Sequence, residues 1–384
     1  MKARVLCGLD QLDQADLVLR GRRIGLMTNP TGIDRGFHSA IDILFAHYRL
    51  NALFACEHGV RGDAQAGAEI DTFEDPGTGV MVYSCYGKTS HLSPDMLDAF
   101  EVLVFDMQDV GARFFTYLYS LSYAMEACSR MGKPVIVLDR PNPVGGTQVS
   151  GTLLDTRFHS FVGEYPLPTR YGLTIGEYAL WVKDHLHLKL DLTVVPLSGW
   201  RRDMYFENTG LHWVAPSPNC PTPETAVVYS GTCIFEGTNL SEGRGTTLPF
   251  QLIGAPYVDC GELEKRMAAL RLPGLHFRRA SFTPQFSKWS GKTCHGVQMH
   301  VTDRLAADPF AGGLMLLEQI RLLHPDDFAF RAPEDGSDDI WTIDRLLGTD
   351  DYRKGRLDAG GLIQAHHPLV KEFAAQKKRF ELYP

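Results

Sequence analysis

Apolar positions in the first half of the chain follow two alternating patterns. Short, nearly all-apolar runs at 24–28, 50–55, 80–83, 102–106, 134–139 and 192–195 read as strands buried on both faces. Between them apolar residues recur at helical spacing. One stripe is Phe37, Ile41, Leu44, Phe45 and Tyr48; another is Tyr117, Leu121, Ala124, Met125 and Cys128. Ser93-Pro94 opens a helix with a cap and a first-turn proline. Thr174-Ile175-Gly176-Glu177 is a capping box whose helix puts Ile175, Tyr178, Val182 and Leu186 on one face. Strands alternating with amphipathic helices predict a doubly wound parallel sheet, an α/β domain over 1–198.

The pattern then changes. Residues 198–225 are rich in Pro, Asn and Trp and read as an arm. Strands are expected at 227–229, 276–279 and 297–301, and helices at 262–271, 309–323, 339–347 and 369–380. This predicts a smaller α+β domain over 199–384, closing a cleft against the first. The length of 384 residues agrees with two domains and suffices for a core without disulfide or metal staples.

Composition removes several classes. With 38 basic and 46 acidic residues the formal charge is 38 − 46 = −8, and no long basic run exists. Bulk attraction to nucleic acid or anionic membrane is therefore not expected, and an anionic ligand would need a local group of Arg. No apolar stretch reaches bilayer length, and residues 1–10 lack the apolar core of a signal peptide. The eight cysteines form no C-x-x-C pair and read as reduced thiols, so a cytoplasmic location is expected. No dinucleotide fingerprint and no metal-binding helix motif are visible, so neither cofactor nor metal is expected. The oligomeric state is left open.

In an open parallel sheet, ligands bind beyond the carboxyl ends of the strands. Three strands there hand over to carboxylates with Arg close behind: Glu57-His58-Gly59-Val60-Arg61, then Asp106 with Asp109 and Arg113, then Asp139-Arg140-Pro141-Asn142. Such a rim can supply acid, base and an anion grip; a single such Asp would more often cap a turn. Glu57 is the sharpest candidate, lying between a buried strand and two glycines. His58 either orients it, serves as a base, or is a turn residue bonded to backbone. A Cys56–His58 nucleophile pair lacks an orienting third group. In the second half, residues 236–247 pack Glu236, Asn239, Glu242 and Arg244 among glycines and hydroxyls, and Pro216-Ser217-Pro218-Asn219 presents Asn219 on a stiff segment. Both face the rim across a cleft or are plain surface loops. The tryptophans at 200, 213, 289 and 341 stack on sugar faces or belong to the core.

These motifs resemble one family. E-H-G-x-R-G at 57–62, Y-S-x-Y-G at 83–87, D-x-Q-D-V-G-x-R-x-x-T-Y at 106–117, D-R-P-N-P at 139–143, P-S-P-N at 216–219 and E-G-T-N-x-S-E-G-R-G-T at 236–246 are similar to those of the exo-β-N-acetylmuramidases of the NamZ type. Cys56 and Cys85 stand where that family often has Pro and Leu. The resemblance implies a Rossmann-like N-terminal domain and an α+β C-terminal domain. It also implies release of terminal N-acetylmuramic acid from the non-reducing end of peptidoglycan fragments, with Glu57 as the catalytic glutamate.

Glycosidic cleavage needs an acid at the leaving oxygen and a base or nucleophile on the other face. Glu57 is expected as the acid, with His58 beside it. Its partner is sought among Asp106, Asp109, Glu236 and Glu242, with Asp106 and Glu242 foremost, or in the substrate's own 2-acetamido group. The lactyl carboxylate of muramic acid calls for an Arg fork from Arg61, Arg113 or Arg244. Tyr117, Asp139, Asn142, Asn219 and Asn239 complete the expected substrate contacts. The alternatives are a non-catalytic muropeptide-binding protein on the same fold, or another hydrolase of carboxylated or phosphorylated small molecules.

Overall fold

The computed structural model describes residues 5–57, 59–61, 72–85, 91–333 and 340–384. The first half runs α1 (Asp16–Leu19), β1 (Arg23–Thr28), α2 (Ala40–His47), β2 (Arg49–Ala55), β3 (Phe73–Glu74), β4 (Met81–Ser84), α3 (Pro94–Asp98), β5 (Val102–Asp106), α4 (Tyr117–Met131) and β6 (Val135–Leu138). It continues through β7 (Ser150–Leu153), β8 (Pro168–Arg170), α5 (Ile175–His185) and β9 (Leu192–Val195). Seven strands form one sheet in the order β3-β4-β2-β1-β5-β6-β9, parallel except for the edge strand β3. The doubly wound expectation therefore holds. β7 and β8 make a separate antiparallel ribbon. The capping box at Thr174 and the Ser93 cap form where expected.

Past the arm, with its single turn α6 (Phe206–Thr209), come α7 (Pro223–Thr232), β10 (Leu252–Ala255), α8 (Cys260–Ala269), β11 (Leu275–Phe282), β12 (Cys294–Val301), α9 (Pro309–Leu323), α10 (Thr342–Leu347) and α11 (Ala359–Gln376). The order β10-β12-β11 gives a small antiparallel sheet, so the second half is α+β. Residues 227–229 are a correction: they lie in α7, not in a strand. Val-Val-Tyr favours strand locally, but the Thr222 cap and Pro223 at the first turn start a helix. α7 also crosses α9 at backbone contact: a Cβ on Gly231 would sit 1.7 Å from Pro309 O, which only glycine allows. α11 starts ten residues before the expected 369, at the Asp358 cap, and runs through Pro368.

One face of the large sheet packs Leu26, Leu53, Val82 and Val104 against α2. On the other, Phe54, Phe105 and Tyr117 belong to a cluster that continues without a break to Phe235, Leu316 and Phe373. The two halves thus share a core, and the strand-end rim lies beside the seam. No helix among the described residues is long and apolar enough to cross a membrane.

Candidate active site

The chain leaves β1 in two directions, so the sheet's switch point lies between β1 and β5, the usual ligand crevice. Here that crevice is filled. Thr28 Oγ1 donates to Asp106 O at 2.7 Å, and the Gln108 amide N–H donates to Thr31 Oγ1 at 2.8 Å. Arg140 and the arm residues Phe206 and Trp213 leave a cavity of about 20 Å³, room for one water. The site must lie to one side.

At the neighbouring end of β2, Cys56 turns inward and Glu57 emerges half-buried on the rim. Gly59, at φ 77°, closes the turn by donating to Cys56 O at 3.1 Å. Thr116 Oγ1 donates to Glu57 Oε2 at 3.1 Å. The Tyr117 hydroxyl donates to Pro216 O at 2.6 Å and lies 3.5 Å from Glu57 O. Tyr117 is buried, so it ties the P-S-P-N arm to the Glu57 turn; this corrects its expected place among the substrate contacts. His58 lies outside the described residues. Arg61 grips Asp75 through two 2.9 Å bonds, and this fork holds the Asp75 carboxyl below the usual range. The Arg61 side chain remains 37% exposed.

The other rim carboxylates turn inward. Asp106, expected as a second catalytic group, is fully buried with both oxygens in a fork to Arg140, at 2.5 and 2.9 Å. It locks the ends of β5 and β6, and it keeps Arg140 protonated. Asp139 accepts from Arg140 N and Gly176 N at 2.9 and 2.8 Å, from Thr174 Oγ1 at 2.8 Å, and from the Tyr383 hydroxyl. Burial pushes it up to about 7. Asn142 is spent on Leu173 O and the Val144 N–H. Neither is free to hold substrate as expected. Asp109 Oδ2 accepts from the Gly111 N–H at 2.6 Å and from the Tyr171 hydroxyl. Its Oδ1 is buried without a hydrogen-bond partner among the described residues, and burial pushes the carboxyl up to about 6.

Arg113 is the clearest correction. It is 0% exposed and donates to three carbonyls: Thr152 and Leu167 at 2.6 and 2.7 Å, and Leu346 at 2.7 Å. It stitches the rim to the β7–β8 ribbon and to α10, out of reach of a lactyl group. Burial, with no counter-ion among the described residues, pulls it down to about 10.

The second cluster is an ion network. Glu242, 2% exposed, lies 3.3 Å from Arg244 Nε and 2.7 Å from Lys288 Nζ, and Arg244 also bonds Glu236. Two cations make Glu242 a counter-ion rather than the free second catalytic group expected. Glu236 is the more exposed carboxylate of the two. Asn239 fastens loops through Asp327 O, Tyr257 and the Ala329 N–H and stays partly exposed. Asn219 is buried, and its side chain has no hydrogen-bond partner among the described residues. Edge-to-face rings join the clusters: Tyr117 to Phe115 at 4.8 Å, Phe115 to Tyr229 at 6.1 Å, Tyr229 to Phe250 at 4.7 Å, with Arg244 over Phe250 at 5.1 Å.

Three neighbours escaped the sequence reading: Thr116, Asp75 and Lys288. Thr116 stood inside a motif. Asp75 and Lys288 carry no local signal, although Lys288 is flanked by Ser287 and Trp289 at φ 67° and 60°, strained positions visible only in three dimensions. Among the described residues no group of three or more His, Cys, Asp or Glu is placed to hold a metal.

The fold and rim define a class: a two-domain α/β protein with one half-buried glutamate at a strand end and a charged loop in the second domain. Models of the exo-β-N-acetylmuramidase NamZ N-terminal and C-terminal domains match residues 24–224 and 227–383. The chain belongs to the NamZ family. It is 46% identical to the peptidoglycan β-N-acetylmuramidase NamZ of Bacillus subtilis strain 168, over 100% of this chain and 92% of that protein. Two solved structures of DUF1343 family proteins from Bacteroides fragilis share the fold. One has TM-score 0.90 and 34% identity over 100% of both chains; the other has TM-score 0.74 and 29% identity over 99% of both.

Proposed function

We propose that the protein is an exo-acting glycosidase that releases terminal N-acetylmuramic acid from the non-reducing end of peptidoglycan fragments, with Glu57 donating the proton to the leaving oxygen. The observation that carries this reading is the contrast along the rim. Asp106 and Asp139 are locked inside and Asp109 is buried, whereas Glu57 stands half-buried at the seam with its carboxylate oriented by Thr116. The family membership and the Bacillus subtilis relative supply the reaction class.

Departure of the leaving group builds positive charge at the anomeric carbon, which needs a base, a nucleophile or the 2-acetamido oxygen on the opposite face. Glu236, the more exposed member of the second cluster, is the candidate facing carboxylate. Of the three expected receptors for the lactyl carboxylate, Arg61 and Arg244 remain. Each is already paired with an acid, so the lactyl group competes with Asp75 or Glu236 for a planar fork.

Glu57→Gln keeps the side-chain volume and removes the proton. Its turnover of a chromogenic muramic-acid glycoside is expected to fall about 10²- to 10⁴-fold with folding intact. Wild-type turnover in that variant removes Glu57 from the mechanism. Arg61→Ala or Arg244→Ala is expected to raise KM for muramic-acid glycosides more than for their N-acetylglucosamine counterparts. Equal losses on both sugars would exclude the lactyl role.

A further inference from the structure

The helix that begins beside Glu57 starts in an unusual way. α4 spans 15 residues and buries ten of them, so its first turn is a rigid platform. Thr116 precedes the helix with backbone angles that are already helical, φ −71° and ψ −13°, so its hydroxyl is not placed to cap the first turn and makes no cap bond. The hydroxyl points away from its own helix and donates to Glu57 Oε2 at 3.1 Å, across 59 residues of sequence. The next residue holds the same turn by its backbone, with the Tyr117 hydroxyl 3.5 Å from Glu57 O. Two successive side chains at the start of α4 thus meet the segment that carries Glu57, and of these two the Thr116 hydroxyl is the one that contacts the carboxylate.

We propose that Thr116 is a positioning residue of Glu57: its hydroxyl fixes the rotamer of the carboxylate, aiming the acid at the leaving oxygen. This assignment rests on the reading of Glu57 as the proton donor. A β-branched residue suits the task, because the second branch on Cβ restricts χ1 and so the direction of the hydroxyl. A displacement of about 1 Å in such a group costs about 10²-fold in rate. Thr116 does not touch the reacting atoms, and it acts only through Glu57.

The test compares Thr116→Val, which keeps the shape and removes the donor, with Thr116→Ser, which keeps the donor. Thr116→Val is expected to lower kcat about 10- to 100-fold, the range of one charge-assisted hydrogen bond. KM should change less than about 2-fold and the denaturation midpoint should stay put, since no cap bond is lost. Thr116→Ser should restore kcat to within about 5-fold of wild type. The loss in Thr116→Val should shrink across aglycones of increasing acidity, because better leaving groups need less of the Glu57 proton. In the Glu57→Gln background the Val substitution should cost less than about 3-fold. A uniform loss across aglycones, a full loss in the Glu57→Gln background, or failure of Ser to rescue would overturn the assignment. Wild-type kcat in Thr116→Val beside an inactive Glu57→Gln overturns the positioning role alone. Wild-type activity in Glu57→Gln overturns the reading of Glu57 as well.

Discussion

Replacing Arg113 by Met separates a structural arginine from a substrate-binding one. The guanidinium donates to Thr152 O, Leu167 O and Leu346 O with no counter-ion among the described residues. Hydrogen bonds to a charged group are worth about 1.5–3 kcal/mol each, so three amount to about 5–9 kcal/mol gross. Burial works against them: the fall of Arg113 to about 10 corresponds to about 3 kcal/mol of penalty for the charged form. Methionine fills the space without that penalty but strands three buried carbonyls. The expected net loss is about 2–6 kcal/mol. Urea denaturation at neutral pH reads it directly, as a lower midpoint at unchanged slope. The second reading is selectivity. At a temperature where the variant is folded, the ratio of kcat/KM for muramic-acid and N-acetylglucosamine glycosides should match wild type. An Arg113→Met protein of full stability that has lost its preference for the lactyl-bearing sugar would refute the reasoning and return Arg113 to the site.

Two further outcomes follow from buried titrating groups. Asp139 holds its proton up to about pH 7 in the folded chain and only to about 3.9 when unfolded, so the native state binds more protons between those values. Its contribution to stability is present below about pH 4 and is lost as pH rises to about 7. Asp139→Asn should remove that falling component from a plot of unfolding free energy against pH, and identical slopes in the two proteins would contradict the assignment. The thiols give a simpler readout. Seven cysteines are buried and only Cys260 is partly exposed; burial pushes Cys56 and Cys128 up to about 12 and Cys294 to about 11. Ellman's reagent at pH 8 should find one fast thiol in the native protein and eight in denaturant. Several fast native thiols would contradict the packing around Cys56.

Periodicity served best where elements are long and their caps sit in the chain. The helix at 309–323 and the strands on either side of β1 were legible from spacing alone, because a strand buried on both faces has few other ways to read. α7 was not, since its helical state is decided by a proline at its start and by α9 across a glycine contact. The site divided in the same way. The positions of Glu57, Asp106 and Asp139 at strand ends followed from the alternation. Which of them face outward did not, because that depends on partners far away in sequence: Arg140 for Asp106, Thr174 and Tyr383 for Asp139, Leu346 for Arg113.

Dense motifs of charge and glycine therefore carry two meanings in this chain. A seam between two halves with one continuous core must bury the strand-end polar groups of the first half, and each buried charge then needs a partner. Arg140 with Asp106, and Arg113 with its three carbonyls, answer that need. The groups that the proposed function uses are those whose pairing leaves solvent on one side: Glu57 with Thr116, Arg61 with Asp75, and Arg244 with Glu236. Neither arginine carries an uncompensated charge: Arg61 has Asp75 and, at 3.8 Å, Asp42, while Arg244 and Lys288 stand against Glu236 and Glu242. An anionic sugar approaching a chain of net charge −8 consequently meets no broad positive field. Under the proposed function its recognition comes at contact, by exchanging one carboxylate for another in a planar fork. Geometry, more than charge, would then set which sugar is held.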